Sequence, residues 1–264
     1  MAIVHVSTAT EFWNALNTSG DEVYIDNDID CNSISITSSK EVKAALVDGQ
    51  GHTLYNLAMT GSADMFSFGT LFGTHTIQNV NLANVLQPYD YAVFRNTNSN
   101  PHIDLINVQI QGLCRKIIRG QRFTVQKCTF HTTGTTTIIA GSATLNASLC
   151  YFDCDTIPST STRFSYCNLT DCYVKGDFDA TGYIATYVYF SNCNLTRVIV
   201  NNDFINTTGI EFKLISGGTC EDVLYNSSKM GDMTYTTVTG ATGLTDTQLK
   251  TPADVIATGF PLVV

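Results

Sequence analysis

An eight-residue pattern recurs along most of this chain and restricts its architecture more than any other property. It reads apolar, polar, apolar, two unrestricted, apolar, polar, apolar. Phe123–Phe130, within RFTVQKCTF, is a clean copy, with Phe123, Val125, Cys128 and Phe130 at the apolar positions. Alternation places successive side chains on opposite faces of a strand, so a two-residue interruption suits a strand that bends and continues. Copies start at His52, His75, Ile103, Phe123, Leu145, Cys167, Val188, Ile210 and Met233, at steps of 23, 28, 20, 22, 22, 21, 22 and 23 residues. A period of this size is the signature of a stacked solenoid.

Read as columns, the copies predict inward ladders. The third position holds Leu54, Ile77, Leu105, Val125, Ala147, Leu169, Phe190, Phe212 and Tyr235. The sixth holds Leu57, Val80 and Val108, then Cys128, Cys150, Cys172 and Cys193, then Ile215 and Val238. The fifth holds Asn56, Asn79, Asn107 and Asn192, with Asp171 in register. Asn and Asp tolerate the left-handed backbone of a sharp corner, and stacked Asn amides bond along a column. The longest step contains Gln87–Asn100, where a protruding loop is expected.

The segments outside the repeat read as caps. Thr8 and Glu11 have capping-box spacing before an apolar face of Phe12, Ala15 and Leu16, and a strand is expected at Glu22–Ile25. Asp26, Asp28 and Asp30 sit in a turn-rich segment lacking the Gly and distal Glu of a calcium loop, so no metal site is expected. In the tail, Thr245 and Gln248 repeat the capping-box spacing, Thr251–Pro252 reads as a second helix start and Gly259 as a stop. The division is therefore one domain: an N-terminal cap over 1–21, coils over 22–240 and a C-terminal cap over 241–264.

VDGQGHTLYNL, Val47–Leu57, resembles an early coil of the right-handed parallel β-helix proteins of the pectate-lyase-like superfamily. The period and the Asn corner agree with that family along residues 47–240, and the tail resembles the closing segment of secreted and phage-encoded β-helix repeats. The resemblance implies an all-β fold: a single-stranded, right-handed parallel β-helix of about nine or ten coils with helical caps. It implies little about chemistry, because the same coil serves lyases, hydrolases, adhesins and phage tailspikes.

Charge and composition exclude several roles. With 14 basic and 23 acidic residues the net charge is -9, which argues against nucleic acid or an anionic membrane as partner. No apolar run is long enough to span a bilayer as a helix, and the N-terminus lacks a basic region and an apolar core of signal type. A protein made in the cytoplasm with reduced thiols is the corresponding expectation, since the nine cysteines include no CxxC pair. A ladder of four cysteines holds them in a line at strand spacing, unlike a zinc tetrahedron, so core packing is expected of them. No cofactor is called for.

Candidate site residues fall into three groups. Asp155 and Asp177 should stack at a spacing admissible for a retaining glycosidase. Lys175 and Arg197 lie near them in the register, with Arg163 in the preceding loop; lyases of the resembled fold use a Lys or Arg base. Tyr151, Tyr173 and Tyr189 can stack on sugar rings or pair with each other for stability. Arg115, Lys116, Arg119 and Arg122 form the basic run of an acidic protein, suited to a partner's acidic patch or an anionic glycan, or simply to solvent.

The leading functional expectation is a non-enzymatic phage virion protein of tailspike, fibre or decoration type, located on the particle. It would use the β-helix as a rigid scaffold against other virion proteins or a host-surface glycan. A polysaccharide lyase or glycoside hydrolase acting on acidic or capsular polysaccharide is the alternative, and a bacterial surface adhesin a third. Monomer and homotrimer both fit an outward wall of Thr and Asn.

Overall fold

Val4, Val23, Val47, Ile77, Leu105, Val125, Ala147, Leu169, Leu195 and Cys220 lie directly above one another, each paired in parallel with the next. This column runs the length of a parallel β-helix, in a computed structural model that describes residues 2–68, 73–96, 98–156, 162–179, 181, 187–205, 211–229, 234–235 and 239–250. Parallel neighbours repeat at ~4.8 Å, so one residue type in one column fills the interior continuously. Other inward columns carry stacked aromatics: Phe130 stacks on Phe152 at 5.2 Å, and Phe164 on Phe190 at 5.0 Å.

The helix makes about seven full turns, fewer than nine or ten. The end turns are the incomplete ones. Ile3–Val6 supplies a single strand before the chain enters a helix, and the next turn carries strands of only two residues, Ile29–Asp30 and Lys40–Glu41. The N-terminal cap region thus contributes a strand as well as a helix. That helix, α1 (Ala9–Ala15), has the reciprocal capping box between Thr8 and Glu11 and buries Phe12 and Ala15 against the core, with Leu16 beside them. The strand Glu22–Ile25 forms as expected. At the other end α2 (Asp246–Lys250) starts at Thr245, whose hydroxyl accepts from the Gln248 N–H at 3.3 Å. Thr251–Pro252 and Gly259 lie outside the described residues.

Copies beginning at His75, Ile103, Phe123, Leu145 and Cys167 stack in the expected register. The copy at His52 does not: Val47 pairs with Ile77, and Leu54 with Leu82. Gln50 and Gly51, at φ 51° and 87°, widen that corner into a turn, and Asp48 accepts the Gln50 N–H at 2.8 Å. The copy at Val188 is also displaced. Leu169 pairs with Leu195 and Cys172 with Val198, while Phe190 pairs with Phe164 below and Ile215 above. Every corner of a β-helix breaks the alternation in the same way, so the pattern alone cannot say which corner a copy describes.

The left-handed residues separate into distinct corners for the same reason. Asn79, Asn107, Lys127, Leu149, Asp171, Arg197 and Asp222 form one column with φ between 50° and 55°. Asn56 belongs with Asn84, whose amide donates to it at 3.3 Å, and Asn192 with Tyr166. Where a protruding loop is expected, Gln87–Asn96 belongs to the wall: it lies within the strand Gly73–Asn96, whose pairing breaks after Gln87 and resumes at Ala92 after a register shift.

The cysteine ladder is three long. Cys128, Cys150 and Cys172 are buried and donate to carbonyls of the preceding rung, Leu105, Val125 and Ala147. Cys193 faces Cys167 instead, Sγ to Sγ 3.3 Å. All nine cysteines are free, and burial raises most of these thiols, Cys31 to about 12.

Candidate functional site: an outward trough along one wall

After Phe130, Phe152 and Val174 point inward, the next residue on each rung points out. The row so formed is Gln111, His131, Asp153, Lys175 and Asn201, in direct register. On the following rung Asn226 is buried and anchors the end of the row, its amide donating to Asn201 Oδ1 at 2.8 Å. Two residues earlier on each rung stand Gln109, Thr129, Tyr151 and Tyr173, also in register. Together these rows line a shallow trough parallel to the helix axis. One stretch is bordered by Asn81, Gln109, Gln111, Thr129 and His131, the next by Tyr151, Asp153, Tyr173, Lys175 and Asn201.

The row is held by its own contacts. Asp153 pairs with His131 at 3.0 Å and with Lys175 at 3.1 Å. Tyr151 and Tyr173 stack on each other at 5.4 Å, and the Tyr173 hydroxyl accepts from Asn201 at 2.8 Å. The tyrosines therefore spend their shared faces on one another and present edges and hydroxyls to the trough. Lys175 is raised above the usual lysine value by the Tyr151 hydroxyl and then by Asp153, so it stays protonated.

Beside this row runs an acidic edge. Asp155 Oδ1 accepts the Asp177 N–H at 3.0 Å, Asp177 pairs in register with Asp203, and Lys229 reaches Asp203 at 2.8 Å. Partial burial, and then the Asp155 and Asp203 carboxylates, raise Asp177 above the ordinary carboxylate value. Like charges at rung spacing disfavour simultaneous ionisation. Lys229 also lies 3.7 Å from Asp246 in α2, joining this edge to the C-terminal helix.

Several expected site residues sit elsewhere. Asp155, Asp177 and Lys175 are brought together, but Arg197 occupies a corner, paired with both Asp171 carboxylate oxygens at 2.5 and 2.7 Å. Tyr189 is fully buried, its hydroxyl donating to Asn202 at 2.6 Å. Arg163 is inside the helix, away from the aspartates it was expected to join. Of the basic run, Lys116 is paired with Asp90 at 2.9 Å and Arg122 donates to the Ser99 carbonyl, so part of its charge is already used. His131, Asn201, Asp203 and Lys229 carry no motif; the alternation carried one residue past its eighth position finds His131, and the other three lie on turns whose register the pattern does not give. Among the described residues, no cluster of three or more His, Cys, Asp or Glu is arranged to hold a metal ion, and no helix is long and apolar enough to cross a membrane.

A scan against protein-family models finds no match to this chain, and a search of curated proteins finds none either.

Proposed function

We propose that the β-helix is a rigid, non-catalytic scaffold that takes a glycan strand along the trough, as a host-attachment or structural component of a bacteriophage virion does. The observation carrying this reading is the axial row Gln111–His131–Asp153–Lys175–Asn201, one polar group per rung. A polymer lying along the axis meets hydrogen-bonding groups at a constant pitch, with tyrosine edges alongside. Backbone pairing fixes these groups in advance, which lowers the ordering cost of binding. The resemblance of the tail to the closing segment of secreted and phage-encoded β-helix repeats supports the virion assignment, and recovery of the protein in stoichiometric amounts from purified particles would test it.

A glycoside hydrolase is the second reading, favoured by the raised Asp177 beside Asp155. That pairing of environments is the one acid–base carboxylates require. A lyase is less well served: Lys175 is held as a cation, and Arg197 is committed to Asp171. The discriminating experiment incubates the protein with neutral, acidic and capsular polysaccharides and follows chain length, new reducing ends and unsaturated products. The scaffold reading predicts retention without shortening. Cleavage that disappears in both Asp155→Asn and Asp177→Asn would establish the hydrolase instead.

A further inference from the structure

Arg163 interrupts an otherwise apolar column. Its register neighbours follow from Ile139 pairing with Phe164 and Phe164 with Phe190, which set Ile138 below it and Tyr189 above. The equivalent position one rung further down is Ile117, and all of these residues are buried. The guanidinium is wholly enclosed. One nitrogen, Nη2, donates to the Cys154 carbonyl and reaches the Lys175 carbonyl at 3.5 Å, and the cation sits 5.1 Å from the centre of the Tyr189 ring. Nε and Nη1 have no hydrogen-bond acceptor.

A guanidinium does not give up its proton, so neutralisation is no escape for it. A buried charge left without its counter-charge costs several kcal/mol. The nearby carboxylates do not supply one. Phe152, Cys154 and Phe178 point inward on their strands, which sends Asp153, Asp155, Asp177 and Asp179 to the outer face. The buried carboxylates among the described residues, Asp21 and Asp64, belong to earlier turns, where Asp64 pairs with Arg95. No Asp or Glu occurs in 156–164, 180–187 or 204–210. The polar groups that share this part of the interior are otherwise engaged: Asn202 accepts from the Tyr189 hydroxyl and donates to the Gly176 carbonyl at 2.6 Å, and Thr132 bonds Thr135 at 2.8 Å.

We propose that Arg163 holds a small monovalent anion of halide type inside the β-helix, bound at the unpaired Nε or Nη1 donor. The anion supplies the charge the fold lacks at this rung and an acceptor for an orphaned donor. It also accounts for an arginine between an isoleucine and a tyrosine, where an apolar residue would otherwise pack at no electrostatic cost. The site is separate from the trough and does not depend on what the trough binds.

The test measures the thermal midpoint of the whole protein as chloride replaces gluconate at fixed ionic strength. A ligand that binds only the folded state raises the midpoint on the order of 5–10 °C at a hundredfold excess over its Kd. The wild type should show this rise. Arg163→Met should show none, and in gluconate it should be at least as stable as the wild type. Crystals soaked in bromide provide a reading that does not depend on the variant folding: an anomalous peak within hydrogen-bonding distance of Nε or Nη1 is expected. A midpoint indifferent to chloride, or water in place of bromide at those nitrogens, overturns the proposal.

Discussion

Phe152 shows how one side chain serves the helix. It stacks on Phe130 at 5.2 Å and meets Phe164 edge-on at 5.4 Å, so it touches two walls at once. Its truncation opens a cavity that two paired walls cannot collapse to fill. Phe152→Ala should lower stability by about 3–5 kcal/mol in urea unfolding. Asp177 predicts a change of opposite sign. Burial and neighbouring carboxylates raise its folded value, so it favours folding at low pH and loses that contribution as pH rises through the raised value. Asp177→Asn, which cannot ionise, should therefore melt higher than the wild type at pH 7. The two curves should converge below the ordinary carboxyl value of 3.8. A variant that melts lower at pH 7 would show that the carboxylate is stabilised in a way the structure does not contain.

At the scale of a corner, the backbone sets the demand and the side chains meet it unequally. Leu149 adopts φ 55° in the column that elsewhere holds Asn79, Asn107 and Asp171. A left-handed conformation costs an ordinary residue roughly 1–2 kcal/mol, and Asn bears it better. Leu149→Asn should stabilise the protein by about 1 kcal/mol, read as a higher urea midpoint at unchanged slope. The same corners explain what was legible in the sequence. Coils from His75 to Cys167 announced their register because each corner there costs two residues. The coil at Val47–Tyr55 was misplaced by its Gly-rich turn. The coil at Tyr187–Ile205 was misplaced because Asn192, at a different corner, breaks the alternation just as the main column does. Cys193 left the ladder with that shift and came to face Cys167.

Over the whole molecule, stacking turns local alternation into long rows, and the rows carry the functional argument. The pairing of Asp155 with Asp177 and the neighbouring Tyr151 and Tyr173 are legible because the tyrosines fall inside correctly registered copies and the aspartates three residues past them. Asp203 and Lys229 were not, since they belong to the turns whose register the pattern misassigned. The burial of Arg163 and Tyr189 is not legible, because arginine and tyrosine are ordinarily at least partly exposed and nothing local distinguishes a corner residue that turns inward. Sedimentation equilibrium adds a test at this scale. In a homotrimer packed through the trough wall, the measured mass would be three times that of the 28.7 kDa chain and glycan binding would be blocked. The scaffold reading expects the trough to remain open in whichever assembly forms.

The most direct test of the central claim is a binding titration of fluorescent oligosaccharides of increasing length against the wild type and Lys175→Ala. The trough account predicts that affinity grows with chain length until the row from Gln111 to Asn201 is filled, that Lys175→Ala weakens binding about tenfold or more while leaving the melting curve nearly unchanged, and that the oligosaccharides are recovered intact. Affinity that does not depend on length, or that Lys175→Ala leaves untouched, would contradict it.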